Sequence, residues 1–223
     1  MKRTALRQRI LPTYTRAEEI MNMVTHIVGG AFGIVALVSC VLLSAFTGNV
    51  WGVVSSAIYG GSMVVLYTMS SIYHGLKREM PKKVMQVIDH CTIYLLIAGT
   101  YTPILFCSIR KISPVMCWVI FGIVWGCAAL AATLTAIDLK KYKVFSMICY
   151  IAMGWCILID IDTCYKAMGQ IGFWFLLSGG IFYTVGAVMY GIGKKKKFMH
   201  SVFHIFTVLG SILQYISIIG FVL

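Results

Sequence analysis

Charge is what this sequence has least of: Asp, Glu, Lys and Arg make up only 12% of its 223 residues. With 60% hydrophobic residues and a mean hydropathy of +0.88, it cannot clothe a soluble domain of this length in polar surface. A CxxC pair is also missing. The eight cysteines, from Cys40 to Cys164, all fall inside apolar stretches, which disfavours a thiolate metal site and suits small packing residues in lipid. Neither a GxGxxG pattern nor a P-loop occurs, so Gly29, Gly30, Gly33, Gly60, Gly61, Gly179 and Gly180 read as points of close helix approach. No internal repeat is evident, so an inverted-repeat transporter has no support. No early apolar run precedes a small-residue cleavage site, and no removed signal peptide is expected.

What the chain does have is long apolar runs. A helix that spans the hydrocarbon core needs roughly 20 apolar residues. Seven windows qualify, at about 25–46, 52–73, 88–107, 114–136, 144–164, 171–191 and 199–221. The predicted fold class is an all-α integral membrane protein, a seven-transmembrane helix bundle. It forms one domain over residues 25–223, behind a basic arm of residues 1–24.

Basic residues set the expected orientation. Lys2, Arg3, Arg7, Arg9 and Arg16 precede the first span; Lys77, Arg78, Lys82 and Lys83 follow the second. Lys140, Lys141 and Lys143 follow the fourth, and Lys194 to Lys197 follow the sixth. That places 16 of 19 on one side, with Arg110, Lys111 and Lys166 on the other. Positive residues collect in the cytoplasm, so the N-terminus is expected inside and the C-terminus outside. The net charge of +12 then sets topology and attracts anionic lipid headgroups, and is not read as nucleic-acid binding. The segment RTALRQRIL is expected to lie on that surface as a short basic amphipathic helix.

Ionisable side chains are rare in membrane helices without a partner or a task. On this topology all five histidines, His26, His74, His90, His200 and His204, fall near the cytoplasmic ends of their helices, with Asp89 and Glu19 at the same level. His200 and His204 are spaced i, i+4, on one helix face about 6 Å apart along the axis. Ser70 and His74 repeat that spacing. A catalytic zinc takes three protein ligands and keeps a position open for water. His74, His200 and His204 would supply three nitrogens, and Asp89 would hold the bound water or ligate the metal itself. The segment HSVFH lacks the glutamate of HExxH, so no metalloprotease helix is indicated. By spacing alone, one metal ion and simple buried polar pairing both account for these residues.

His90, one position from Asp89, reads as a packing or interfacial residue, and His26 as a partner to a ligand, a proton carrier or, before either, an interfacial residue. Asp160 and Asp162 read as interfacial charges far from the site. Trp51, Trp118 and Trp174 read as outer-belt anchors.

Five segments carry a resemblance: EEIMNMVTH (18–26), SSIYH (70–74), IDHCTIYLLIAGTYTP (88–103), YIAMGW (150–155) and HSVFH (200–204). Through them, essentially the whole chain resembles the hemolysin III family. These are bacterial relatives of the progestin and adipoQ receptors, in a wider group that includes alkaline ceramidases. The resemblance implies a seven-helix bundle in a bacterial cell membrane, with a zinc site near the cytoplasmic face. It implies His74, His200 and His204 as ligands, Asp89 on the metal-bound water, and Ser70 as the motif serine.

Three functions follow as expectations. The first is a zinc-dependent hydrolase of a membrane lipid amide or ester, with Asp89 and Ser70 in catalytic roles. The second is a non-enzymatic membrane-homeostasis or cytolytic protein with a structural metal. The third, a proton or solute path through His26 and Asp89, would need polar residues continuing outward. Only Asp160 and Asp162 stand there among the acidic residues.

Overall fold

The computed structural model describes residues 4–193 and 196–223, and among them every regular element is helical. Lys2, Arg3, Lys194 and Lys195, which entered the charge argument, lie outside the described residues. Helix α1 (Arg16–Phe46) opens on a capping box, Thr15 accepting from Glu18 N while the Glu18 carboxylate accepts from Thr15 N. Gly48, at φ +67°, turns the chain into α2 (Val50–Gly75), which Asn49 caps through Gly52 N.

Helix α3 (Glu79–Pro103) runs on through a π-helical turn (Ile104–Ile109) and a final α-turn (Arg110–Ile112). Pro103 has no N–H to continue the ladder, and the wider turn follows directly after it. α4 (Pro114–Ile137) begins with proline at its first position behind the Ser113 cap. α5 (Lys143–Gly154), α6 (Ile161–Ile192) and α7 (Met199–Phe221) complete the bundle.

Six helical segments among the described residues are long and apolar enough to cross a membrane. Five of the expected windows each correspond to one of them. The windows 144–164 and 171–191 instead share one segment, Lys143–Ile192. That segment is broken at a 3₁₀ turn (Cys156–Asp160) and again at Gly169, whose φ of +68° and ψ of 171° lie outside the helical region. It folds back on itself: Trp155 Nε1 donates to Thr184 Oγ1 at 3.1 Å, although 29 residues separate them. A straight helix would hold those residues about 40 Å apart at ~1.5 Å per residue.

In lipid, helices gain little from hydrophobic contact with one another, so close approach through small residues decides how they pair. A Cβ on Gly60 would sit 2.4 Å from Leu37 Cα, which fixes the α1–α2 crossing. A Cβ on Gly99 would meet Ser62 Oγ at 2.3 Å, closing α2 on α3. Gly179 and Gly210 face each other between α6 and α7 in the same way. α3 is the most buried of the helices and forms the centre of the bundle. The eight cysteines are all free; Cys40, Cys107, Cys117 and Cys164 are buried, and Cys127 is exposed.

The arm is not the expected amphipathic helix. Apart from one 3₁₀ turn (Leu6–Gln8), residues 4–15 are irregular and lie against the bundle. Thr4 N donates to Asp138 Oδ2 at 2.7 Å, Arg9 reaches the Ile137 carbonyl, and Lys83 Nζ donates to the Arg7 carbonyl at 2.9 Å. Together with Glu18, which accepts from Phe198 N at 2.7 Å, these bonds gather four helix ends: the starts of α1, α3 and α7 and the end of α4. The histidines lie at that end.

Candidate metal centre

The last turn of α2 carries His74 and the first two turns of α7 carry His200 and His204. The i, i+4 spacing places both α7 rings on one face, as the sequence required. Tertiary packing then brings His74 to them. His200 Nε2 lies 3.3 Å from His74 Nε2 and 3.1 Å from His204 Nε2. One ligand nitrogen from each of the three rings lies within 4.8 Å of the others.

The far side of two rings decides what the near side offers. His74 Nδ1 stands 2.7 Å from Glu19 Oε2, and His204 Nδ1 stands 3.2 Å from the Asn22 carbonyl. Both partners accept, so each Nδ1 carries the hydrogen and each Nε2 keeps a lone pair. Two inward lone pairs flank the Nε2 of His200, which in the neutral ring has at most one hydrogen to offer. A cation satisfies all three. Ligand atoms of a tetrahedral zinc with bonds of ~2.0–2.1 Å are about 3.3 Å apart, close to the nitrogen spacings found. The residues therefore fit zinc.

Asp89, on α3, is buried at 8% exposure and lies outside the close histidine set. It is on the wall of the adjoining cavity with Ser70, whose buried hydroxyl lies beside the Asp89 carboxyl group. The structure thus separates the expected residues into three nitrogens that converge and two oxygen groups that face the space beside them. His90 bonds the Gln86 carbonyl through Nδ1 at 2.8 Å and lines the same cavity, with Nδ1 3.8 Å from Asp89 Oδ2. Asp160 caps α6 through Thr163 N, and Asp162 pairs with Lys166, both remote from the cluster.

His26 differs from its expectation as an interfacial residue. It is 4% exposed, stacks on His204 with ring centroids 3.6 Å apart and planes 7° apart, and lines the cavity. Neither ring nitrogen has a hydrogen-bond partner.

Asn22, Lys82 and Tyr14 escaped sequence reasoning, while Glu19 and His26 were placed at the level of the cluster without assigned partners. Glu19, Asn22 and His26 form one stripe of α1, and their i, i+3, i+7 spacing could have revealed it. Asn22 also accepts from Ser201 Oγ at 2.5 Å, tying α1 to α7. Lys82 holds Glu19 at 2.6 Å across a helix boundary, which no local pattern signals. Tyr14 covers the cluster on the arm side, stacked on His200. Burial pushes its phenol above the usual range, so the covering group is neutral.

The cavity has a volume of about 190 Å³ and a mostly apolar lining. Along α7 its wall extends from His200 to Gln214, about 20 Å at ~1.5 Å per residue. Ile97, Ile157, Phe173 and Leu176 line it from other helices. The arrangement is a polar head of imidazoles, carboxylate and hydroxyl on a long apolar channel.

The family described as "Haemolysin-III related" matches residues 14–215. Hemolysin-3 of Bacillus cereus is 35% identical over 206 residues, 92% of each chain. The Hemolysin-3 homolog of Bacillus subtilis (strain 168) is 34% identical over 92% of this chain and 95% of its own. The human monocyte to macrophage differentiation factor is 27% identical over 90% of this chain and 83% of its own. The match covers α1 through most of α7 and includes every residue of the cluster, so this chain belongs to the haemolysin III-related family.

Proposed function

We propose that this protein is a seven-pass bacterial plasma-membrane enzyme that hydrolyses an amide or ester of a membrane lipid at a zinc centre held by His74, His200 and His204. The observation that carries the reading is the meeting of three histidine nitrogens with the polar end of a long apolar cavity. The fold-back between Trp155 and Thr184 supports two passes within Lys143–Ile192, hence seven in all. With an odd number of passes, the weight of Lys and Arg supports a cytoplasmic N-terminus and an outer C-terminus. The same basic face would favour anionic headgroups.

Bound zinc would supply Lewis-acid polarisation of the carbonyl and a water whose pKa is lowered toward ~7. The chain supplies the rest. The apolar channel takes an acyl chain and excludes bulk water from the reacting bond. Asp89 accepts the proton of the attacking water and returns it to the leaving nitrogen or oxygen as the carbonyl–heteroatom bond breaks. The Ser70 hydroxyl, buried beside Asp89, donates to the carbonyl oxygen as charge develops there.

The test is turnover of ceramide-like and phospholipid substrates by purified protein, with His204→Ala as control. Hydrolysis by wild type and its loss in the variant is expected. Equal turnover by the two would remove the reading.

A second reading has its own observation. The three ligands come from α2 and α7 only, so a metal there would staple these two helices. A non-enzymatic protein of this kind would be stabilised by the metal and would turn over no lipid. The relatives named Hemolysin-3 suggest bilayer lysis as its effect.

A further inference from the structure

Helix α1 contributes no nitrogen to the cluster, yet Glu19 on its inner face makes the shortest polar contact to it. Glu19 Oε2 lies 2.7 Å from His74 Nδ1, and Oε1 lies 2.6 Å from Lys82 Nζ. Lys82 is itself fixed, because its Nζ also donates to the Leu76 carbonyl at 3.2 Å. The carboxylate is therefore clamped between α2 and α3, at 19% side-chain exposure.

Glu19 is badly placed to be a ligand. Both of its oxygens are engaged, and it meets His74 at Nδ1, while the nitrogen facing the cluster is Nε2. What it can do is decide which nitrogen of His74 holds the hydrogen. A carboxylate paired with lysine has none to give, so Nδ1–H donates and Nε2 is left as the metal-binding lone pair. The same bond fixes the ring's rotation about its Cβ–Cγ axis. His204 receives the weaker counterpart from the Asn22 carbonyl at 3.2 Å, and His200 Nδ1 has no partner. Support for the centre is therefore unequal among its rings, and strongest at His74.

We propose that Glu19, clamped by Lys82, is a positioning residue of the metal centre, setting the tautomer and orientation of His74 and thereby the affinity for zinc. This rests on the metal reading above. Carboxylates that hold a ligating histidine in this way contribute about 10–100-fold to metal affinity.

The experiment measures zinc affinity of the purified full chain in detergent by competition with a chromophoric chelator. Wild type is compared with Glu19→Gln, which removes the charge, and Glu19→Asp, which keeps the charge but shortens the reach. Melting temperature is recorded with and without zinc for each. Both variants are expected to bind zinc about 10–100-fold more weakly, with metal-free melting close to wild type and a smaller rise on adding zinc. The Co²⁺-substituted protein supplies an independent readout, since an altered ring orientation changes its visible absorption. If either variant is folded and binds zinc as wild type does, with an unchanged Co²⁺ spectrum, Glu19 has no such role. A wild type that binds no zinc overturns the metal reading and this inference together. A wild type that binds zinc beside unaffected variants overturns this inference alone. Should Glu19→Gln fail to fold, Glu19→Asp still decides, because it keeps a negative charge beside Lys82.

Discussion

Tyr14 lies flat against His200, the ring centroids 5.2 Å apart and the planes 12° from parallel. It precedes α1, in the arm, whereas His200 is in the first turn of α7. The contact closes the histidine cluster on the side away from the apolar channel. Removing the ring in Tyr14→Ala is expected to speed zinc release to a soluble chelator several-fold. Equilibrium affinity should change less, because no ligand is lost. Stopped-flow release beside equilibrium competition separates the two.

Metal removal is expected to lower the melting temperature of the wild type. A ligand at ~100 times its Kd stabilises the folded state by about 2.7 kcal/mol. The combined substitution His200→Ala, His204→Ala is expected to abolish the response to zinc and to leave no stoichiometric metal on purification. Metal analysis and thermal melting in the same detergent check both.

Asp138 gives the arm a pH dependence with a definite sign. The Thr4 backbone N–H holds its carboxyl at about 2, helped by the Lys141 N–H and the nearby Arg9 charge. An unfolded aspartate titrates near ~3.9. A depressed folded-state value adds stability that is complete above the unfolded value and is lost as pH falls toward about 2. The arm is therefore expected to become protease-sensitive between these values, while Asp138→Asn is expected to loosen it already at neutral pH. Limited proteolysis across pH reads the effect.

Gly60 and Gly61 are adjacent and should behave oppositely. A methyl at Gly60 would enter the Leu37 backbone, whereas one at Gly61 meets nothing within 4 Å. Gly60→Ala is expected to destabilise by about 1–3 kcal/mol through overpacking. Gly61→Ala is expected to be neutral or slightly stabilising, since alanine is the better helix former. Chemical or thermal unfolding in detergent compares them directly.

Topology is tested by reporter fusions. A C-terminal fusion to a reporter active only outside the cytoplasm is expected to be active, and one inserted after Lys141 is expected to be silent. The reverse pattern, or activity of neither, would count against seven passes with the N-terminus inside.

Much of the helix layout was legible because its signals are local. Apolar runs of span length mark the helices, although the run starting at about 25 left out the first nine residues of α1, which the Thr15–Glu18 capping box opens at Arg16. The break at Gly169 was legible only as a gap between two windows. The fold-back there depends on Trp155 finding Thr184, a contact no periodicity encodes. The arm was misread because RTALRQRIL has the composition of a surface helix, while Thr4, Arg7 and Arg9 instead find partners on α3 and near the end of α4. His26 was misread because depth along the helix was inferred and rotation about its axis was not.

The sequence by itself determined the helical, membrane-spanning character, the common depth of the histidines, and the shared face of His200 and His204. Helix pitch and the length of an apolar run suffice for each. Only the tertiary structure decided that His74 joins them across 126 residues, that Asp89 and Ser70 face the cavity, and that Glu19, Lys82 and Tyr14 surround the cluster. Those relations depend on how far each helix is rotated and how closely it approaches its neighbours. Contacts such as Gly60 on Leu37 and Gly179 on Gly210 set that rotation and approach, and they exist only once the helices have met.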